Sequence, residues 1–178
     1  LHDASNSLGE IEARETADLG TTVDRVNTIL KEIQLNNSAI STQKHSLSTT
    51  DSAYFSPNEL MDKQNVLLDE LSKYTKISVS QNTDKTVNVS FVNADSTETQ
   101  VVDGTDTSLQ AAQLSNKEND KDTTNLKLTT YKKDTTGAVT STTDPYTAKS
   151  GTLKSYVDVL TGNGAYSLNN KTQITLSG

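Results

Sequence analysis

What this chain lacks narrows it first. It has no cysteine, so neither disulfides nor thiolate metal sites can form. It has no tryptophan, and aromatics make up 4% of its residues. Leu, Ile, Val and Phe together count 38 of 178 residues, about 21%, just above the level at which disorder becomes the default reading. A single thick globular core is out of reach of that composition. Helix pairs and narrow sheets need less apolar material, so an elongated body is expected. No run approaches the roughly 18 apolar residues of a membrane-spanning helix. Basic residues are in the minority, 16 against 23 acidic, for a net charge of −7. That balance disfavours nucleic acid, whose phosphates need a basic face. The chain opens on Leu1 with no charged-then-apolar leader, and reads as an excised piece of something longer.

What is there is periodic. From about residue 6 to 45, Thr16, Leu19, Val23, Val26, Leu30, Ile33, Asn37 and Ile40 step by three and four, a heptad seam over more than three repeats. Leu8 and Ile11 continue it upstream with a one-residue offset. So narrow a stripe is expected to bury itself against one or two neighbouring helices, with polar Asn37 fixing register. Residues 46–55 are rich in Ser and Thr without a period and read as a loop. A second helix is expected over 56–74, with Ser56 as N-cap, Pro57 at the first helical position and Glu59 closing a capping box. Leu60, Gln64, Leu67, Leu71 and Tyr74 form its seam, widened by Met61 and Leu68. Two seams joined by a short loop predict an antiparallel hairpin.

After Lys76 the period becomes two. Ile77 and Val79, then Val87, Val89 and Phe91, share a face, with residues 82–85 as the turn. A third strand is expected over 97–102 after a turn at 93–96, ended by Asp103 and Gly104. Residues 109–114 are ambiguous, and 115–124 read as an exposed polar loop. Residues 125–132 and 138–142 make another hairpin around a turn at 134–137. A short helix follows through Leu153, Tyr156, Val157 and Leu160, stopped by Gly162 and Gly164. The tail 165–178 is unplaced, with a possible strand at 173–176.

The expected fold class is therefore α+β: a long antiparallel helical hairpin, part of a helical bundle, followed by a small antiparallel β-domain. The helical unit covers 1–75 and is rejoined by 149–164. The β-rich unit covers 76–148 and forms one small sheet or a partly closed barrel. Helix leads into strand near residues 71–77 without Gly or Pro, which implies a stiff junction.

Chemistry is sparse. The two histidines, His2 and His45, lie far apart in sequence, and no serine carries an elbow motif. Asp103 with Asp106, or Asp120 with Asp122, do not match a calcium loop. Asn88-Val89-Ser90 is formally a glycosylation sequon but falls on an expected strand. No Gly-rich phosphate loop is present. No catalytic, cofactor or metal residues are expected, and an enzyme is not.

Four stretches resemble one family. Val26-Asn27 through Ile33, Asn37 and Ile40 is similar to the long helix of flagellar hook-associated protein 1 (the FlgK family). The closest likeness is Pro57-Asn58-Glu59-Leu60-Met61-Asp62 followed by Leu67-Leu68-Asp69-Glu70-Leu71-Ser72, running into Ile77-Ser78-Val79 and Thr86-Val87-Asn88-Val89. Val101-Val102-Asp103-Gly104 resembles its next strand and turn. Ser150-Gly151-Thr152-Leu153 looks like the return to the helical domain. Two departures stand out: Gln64-Asn65 where the family often has Arg-Asp, and Ser150-Gly151 where it usually has Gly-Gly.

The resemblance implies a central fragment of a structural protein, one that rings the joint between flagellar hook and filament. It would lie outside the cell, exported unfolded through the flagellar secretion channel. Its partners would be copies of itself, hook protein and neighbouring hook-associated proteins, with no nucleic acid and no membrane insertion. Another flagellar axial protein (hook or flagellin-like) or a cell-surface stalk or adhesin module are the alternatives. The long seam implies one further expectation. The Leu8–Val23 face should exceed what the second helix covers, and meet the family's C-terminal helices or a symmetry-related copy.

Overall fold

The fold is that of a computed structural model, which describes residues 2–46 and 57–162. The first helix, α1 (His2–Ser46), has 45 residues, about 68 Å of rod. α2 (Pro57–Tyr74) follows and runs antiparallel to it. Their register is set by bonds from Asn36 to the Leu60 carbonyl and from Arg25 to Glu70. Pro57 does open the helix, while Ser56 lies outside the described residues. The chain then makes β1 (Ile77–Gln81), β2 (Val87–Val92) and β3 (Glu98–Val102), and next β4 (Gln113–Glu118), β5 (Lys121–Lys133) and β6 (Val139–Tyr146). α3 (Thr152–Thr161) closes the described part. The class is α+β, as the two periodicities predict.

Three hairpin turns share one geometry. In each, the carbonyl of the first residue (Asn82, Asn93 or Asp134) accepts from the N–H three positions on. That third residue has positive φ: Lys85 at 75°, Ser96 at 70°, Gly137 at 86°. This is a type I turn followed by a left-handed residue, a common hairpin connection. An aspartate tightens every one. Asp84, Asp95 and Asp134 each accept, through one oxygen, the N–H and hydroxyl of the Thr two positions on. Such side-chain-to-backbone bonds are why Asp favours turns.

Several expectations are corrected. The strands do not form one sheet or a barrel but two three-stranded antiparallel sheets, ordered β1-β2-β3 and β4-β5-β6. The reason is the segment after β3. Asp103 and Asp106 each accept, through one oxygen, the N–H and hydroxyl of the residue two positions on (Thr105 and Ser108), tightening two consecutive bends, so the chain leaves the first sheet before β4 begins. The polar stretch 115–124 is no loop: it carries β4, a two-residue turn at Asn119 and Asp120, and the start of β5. Both turn residues have positive φ, 50° and 61°, the signature of a tight hairpin. β6 extends to Tyr146, beyond the expected end at 142.

The narrow seam is corrected too. Ile29, Gln34 and Asn36 are buried beside the residues of the heptad stripe. α1 therefore packs on several sides, against α2, α3, β3, β4 and β5. One apolar cluster runs from Leu19 and Ile33 through Leu67 and Leu71 to Phe91, Val102, Leu128 and Leu153.

The step from α2 to β1 takes two residues and is held on three sides. The N–H of Thr75 donates to Leu71, its buried hydroxyl pairs with the Tyr146 hydroxyl, and the Lys76 carbonyl accepts from Val92. Gly151 explains why α3 can begin beside this joint. Its φ is 91°, and a Cβ there would lie 2.6 Å from the Tyr74 carbonyl oxygen, so a side chain is excluded both by conformation and by space. Gly162, left-handed at φ 73°, ends α3; Gly164 and the tail lie outside the described residues.

Candidate functional site

The most organised polar arrangement in the molecule is a row of amides along α1. Asn37, fully buried, donates to the Val87 carbonyl at 2.8 Å and accepts the Val87 N–H at 2.9 Å. Ten residues earlier Asn27 does the same to Leu114, at 2.8 and 2.7 Å. Between them Gln34 donates towards the carbonyls of Asp103, Asp106 and Leu109 at 3.3, 3.3 and 2.8 Å. Each amide offers one donor and one acceptor side, so it can stand in for a neighbouring strand. Asn37 does so for the start of β2, Asn27 for β4. The expectation that Asn37 sets register between helices is thus corrected. Its contact with α2 is a single 3.3 Å bond from Gln64, and its two shorter bonds hold the first sheet.

Of the other singled-out residues, Leu19, Val23, Val26, Leu30, Ile33 and Ile40 on α1 are buried, as are Leu67 and Leu71 on α2. Leu60 and Leu68 are half-buried, whereas Asn58, Asp62 and Asp69 are exposed. Gln64, one of the departures from the family pattern, is buried and also donates towards the Lys85 carbonyl. Gly104 is buried where a Cβ would come within 2.6 Å of the Val87 carbonyl oxygen. It therefore lets the chain cross directly over the residue that Asn37 holds.

The face from Leu8 to Val23 divides. Leu19 and Val23 are covered, but Leu8 is 59% and Ile11 54% exposed, and residues 3–14 are exposed throughout. The seam predicts a face longer than α2 covers: its first turns meet no described element, whereas Leu19 and Val23 are buried in a helix that packs on α3 and the second sheet as well as on α2.

No group of three or more His, Cys, Asp and Glu gathers as a metal would require among the described residues. His2 and His45 sit at opposite ends of α1, about 65 Å apart along it. Asp103 is occupied by its turn, and Asp106 by Lys133 at 2.7 Å. Lys133, then the Ser108 hydroxyl, holds the Asp106 carboxyl below the usual range. Glu70 is likewise lowered by a two-pronged bond from Arg25, at 2.7 and 2.8 Å. In the sequon, the Asn88 amide is bonded to Asn82, and its oxygen accepts the Gly104 N–H. No helix among the described residues is long and apolar enough to cross a membrane.

Sequence reasoning missed the clamps of Asn27 and Gln34 and the burial of Ile29 and Asn36. Ile29 had a signal, since it lies one turn from Val26 and Ile33. The amides had none, as their partners are 69 to 87 residues away.

The row of amides on α1 holds a long rod to two small sheets. In comparisons with known proteins, the sequence matches the description "Flagellar hook-associated protein FlgK helical domain" over residues 1–177. No curated protein matches it. The chain belongs to the flagellar hook-associated protein FlgK family.

Proposed function

We propose that this chain forms part of the ring of hook-associated subunits that joins the flagellar hook to the filament. The observation that carries the reading is the family match along residues 1–177. A junction of this kind needs a stiff body and broad surfaces rather than a pocket. The buried seam of Leu19, Val23, Val26, Leu30, Ile33, Asn37 and Ile40, packed on the sheets and α3 as well as on α2 with its Leu60, Leu67 and Leu71, supplies the stiffness. Gly104 lets the chain cross closely over Val87 within the β-rich part, Gly151 lets α3 start against the end of α2, and the exposed Asn58, Asp62 and Asp69 lie where neighbouring subunits could meet α2.

In this reading residues 1–75 with 149–164 are the helical unit, and 76–148 the outward β-rich unit. Partners are copies of the chain, hook protein and neighbouring hook-associated proteins. The role is structural. It is carried out outside the cell, after export in unfolded form through the flagellar secretion channel; a cysteine-free chain suits such a route.

The test is electron microscopy of a strain deleted for the gene. Bare hooks without filaments, restored by the wild-type gene, are expected. Hooks that still carry stable filaments would reject the reading.

A further inference from the structure

Asp103 and Gly104 follow the last residue of β3, and the fold uses the particular chemistry of each. One carboxyl oxygen of Asp103 accepts the Thr105 N–H at 2.9 Å, the Thr105 hydroxyl at 2.6 Å and the Asp106 N–H at 3.3 Å, so this side chain shapes the bend. Gly104 passes so close over Val87 that a Cβ would stand 2.6 Å from the Val87 carbonyl oxygen and 2.9 Å from its nitrogen, a space that excludes any side chain. Aspartate followed by glycine is also the aspartyl pair most open to reaction with itself, because no side chain shields the glycine nitrogen from the carboxyl group.

That reaction is isomerisation. The Gly104 nitrogen, on losing its proton, attacks Cγ of the protonated Asp103 carboxyl; the hydroxyl leaves as water and a cyclic imide forms. Water then reopens the ring. Addition at the side-chain carbonyl restores aspartate, whereas addition at the main-chain carbonyl leaves isoaspartate, with the chain diverted through Cγ. Water lost in the first step is regained in the second, and nothing is oxidised or reduced. The new N–C bond forms where the N–H bond pointed, so the N–H must first turn towards the carboxyl. In the folded chain it points elsewhere. It donates to Asn88 Oδ1 at 2.8 Å, and the Asn88 amide is anchored in turn by donating to Asn82 Oδ1 at 3.1 Å.

We infer that Asp103 and Gly104 form an isoaspartate modification site, which Asn88 keeps closed while the chain is folded. Opening it takes release of the Gly104 N–H from Asn88 and of the Asp103 carboxyl from Thr105 and Asp106. The same pair is unguarded whenever the chain unfolds, so its isoaspartate content records time spent unfolded. Once formed, the product does not fit the fold. Its main chain is longer by one methylene at the point where it crosses Val87. The Asp103 carbonyl that accepts from Gln34 at 3.3 Å becomes a free carboxylate. The inference is independent of the junction role proposed above.

The purified chain is incubated at mildly acidic pH, folded and in guanidinium, at a temperature well below the unfolding midpoint of every variant used. Digestion and electron-transfer fragmentation then distinguish isoaspartate from aspartate at position 103. Slow conversion in the folded wild type and fast conversion in guanidinium are expected. Asn88→Ala should speed conversion of the folded chain about fivefold or more, the effect of one lost hydrogen bond on a local opening. Asn88→Asp keeps an acceptor oxygen for the Gly104 N–H and should stay close to the wild-type rate. Equal rates in folded and unfolded wild type overturn the inference, whatever the variants do. So does an unchanged rate in folded Asn88→Ala. A rate in Asn88→Asp as high as in Asn88→Ala also overturns it, since the acceptor oxygen is then not what closes the site. Should Asn88→Ala not fold, Asn82→Ala, which frees the Asn88 amide without removing its oxygen, takes its place with a smaller rise expected, and no rise sinks the idea.

Discussion

The first four turns of α1 and the roughly six turns from Leu19 to Ile40 are built from the same pattern and end in opposite surroundings. Leu8 lies eleven residues before Leu19, about three turns, and so on the same side of the rod. Leu19 is fully buried, whereas Leu8 is largely in solvent. The difference lies in what returns to the helix. Beyond residue 19 the chain comes back three times, as α2, as the two sheets and as α3. Before residue 15 no described element lies alongside. A helical period identifies which face wants burial; it does not identify what will bury it.

The largest effects should separate these two stretches. Leu30, fully buried in the central cluster, should cost about 3 kcal/mol when changed to Ala, from lost transfer energy and the cavity left behind. Leu8→Ala should stay within about 0.5 kcal/mol, as exposed substitutions do. Denaturant unfolding of the two variants measures both. Comparable losses would mean that the first turns are covered in solution, and would break the contrast.

The next test lies inside the buried stretch, between two adjacent asparagines. Asn37→Ala strands both the N–H and the carbonyl of Val87, itself buried, at about 1–3 kcal/mol for each group. Asn36 is as deeply placed, but its amide makes one bond, to the Leu60 carbonyl, and its oxygen has no partner. Asn36→Ala removes that unsatisfied acceptor along with the bond, so about 1 kcal/mol is expected. Equal costs would show that burial alone, rather than the strand clamp, makes Asn37 matter.

How much of this was legible beforehand follows from the range of each signal. The two long helices and β1 to β3 were readable because a change of period from 3.6 to 2 is local. The β4–β5 hairpin was not, since Ser115-Asn116-Lys117-Glu118 has no apolar alternation to betray a strand. Its trace was the Asn119-Asp120 pair, residues that tolerate a left-handed backbone. The clamps of Asn27 and Asn37 were invisible for a different reason. An asparagine in a helical seam looks the same whether it faces a helix or a strand edge. The glycines at 104 and 151 were noticed for their place in a motif, while the physical reason, a carbonyl 2.6 Å from where a Cβ would stand, needs the fold.

Tyr146 sharpens the comparison at the other side of the clamp. It ties the second sheet to the α2–β1 joint by its bond to Thr75, and its ring lies 5.3 Å from that of Phe91. Burial pushes its hydroxyl up to about 12, opposed by the Thr75 bond. A raised value in the folded state means the contribution is fully present below pH 10. It is lost as pH rises from 10 through 12, because the unfolded chain ionises first. Two pKa units correspond to roughly 3 kcal/mol at most. The wild type should therefore lose more stability between pH 10 and 12 than Tyr146→Phe does, although the variant starts about 1 kcal/mol lower for want of the hydrogen bond. Parallel pH profiles would show that the tyrosine is not sequestered in solution.

The smallest expected effect returns to the free end of α1. Gly9 sits in the middle of the exposed turns, and a Cβ there would meet nothing within 4 Å. Replacing a helix-interior glycine by Ala is worth about 1 kcal/mol to the helix itself. If residues 3–14 open and close independently of the core, that gain appears locally. Helical ellipticity should rise and amide exchange in these turns should slow, while the unfolding midpoint stays in place, because the core unfolds as a separate cooperative unit. A higher midpoint would instead mean that these turns unfold together with Leu19 to Ile40, and that the two stretches of α1 differ in exposure without differing in cooperativity.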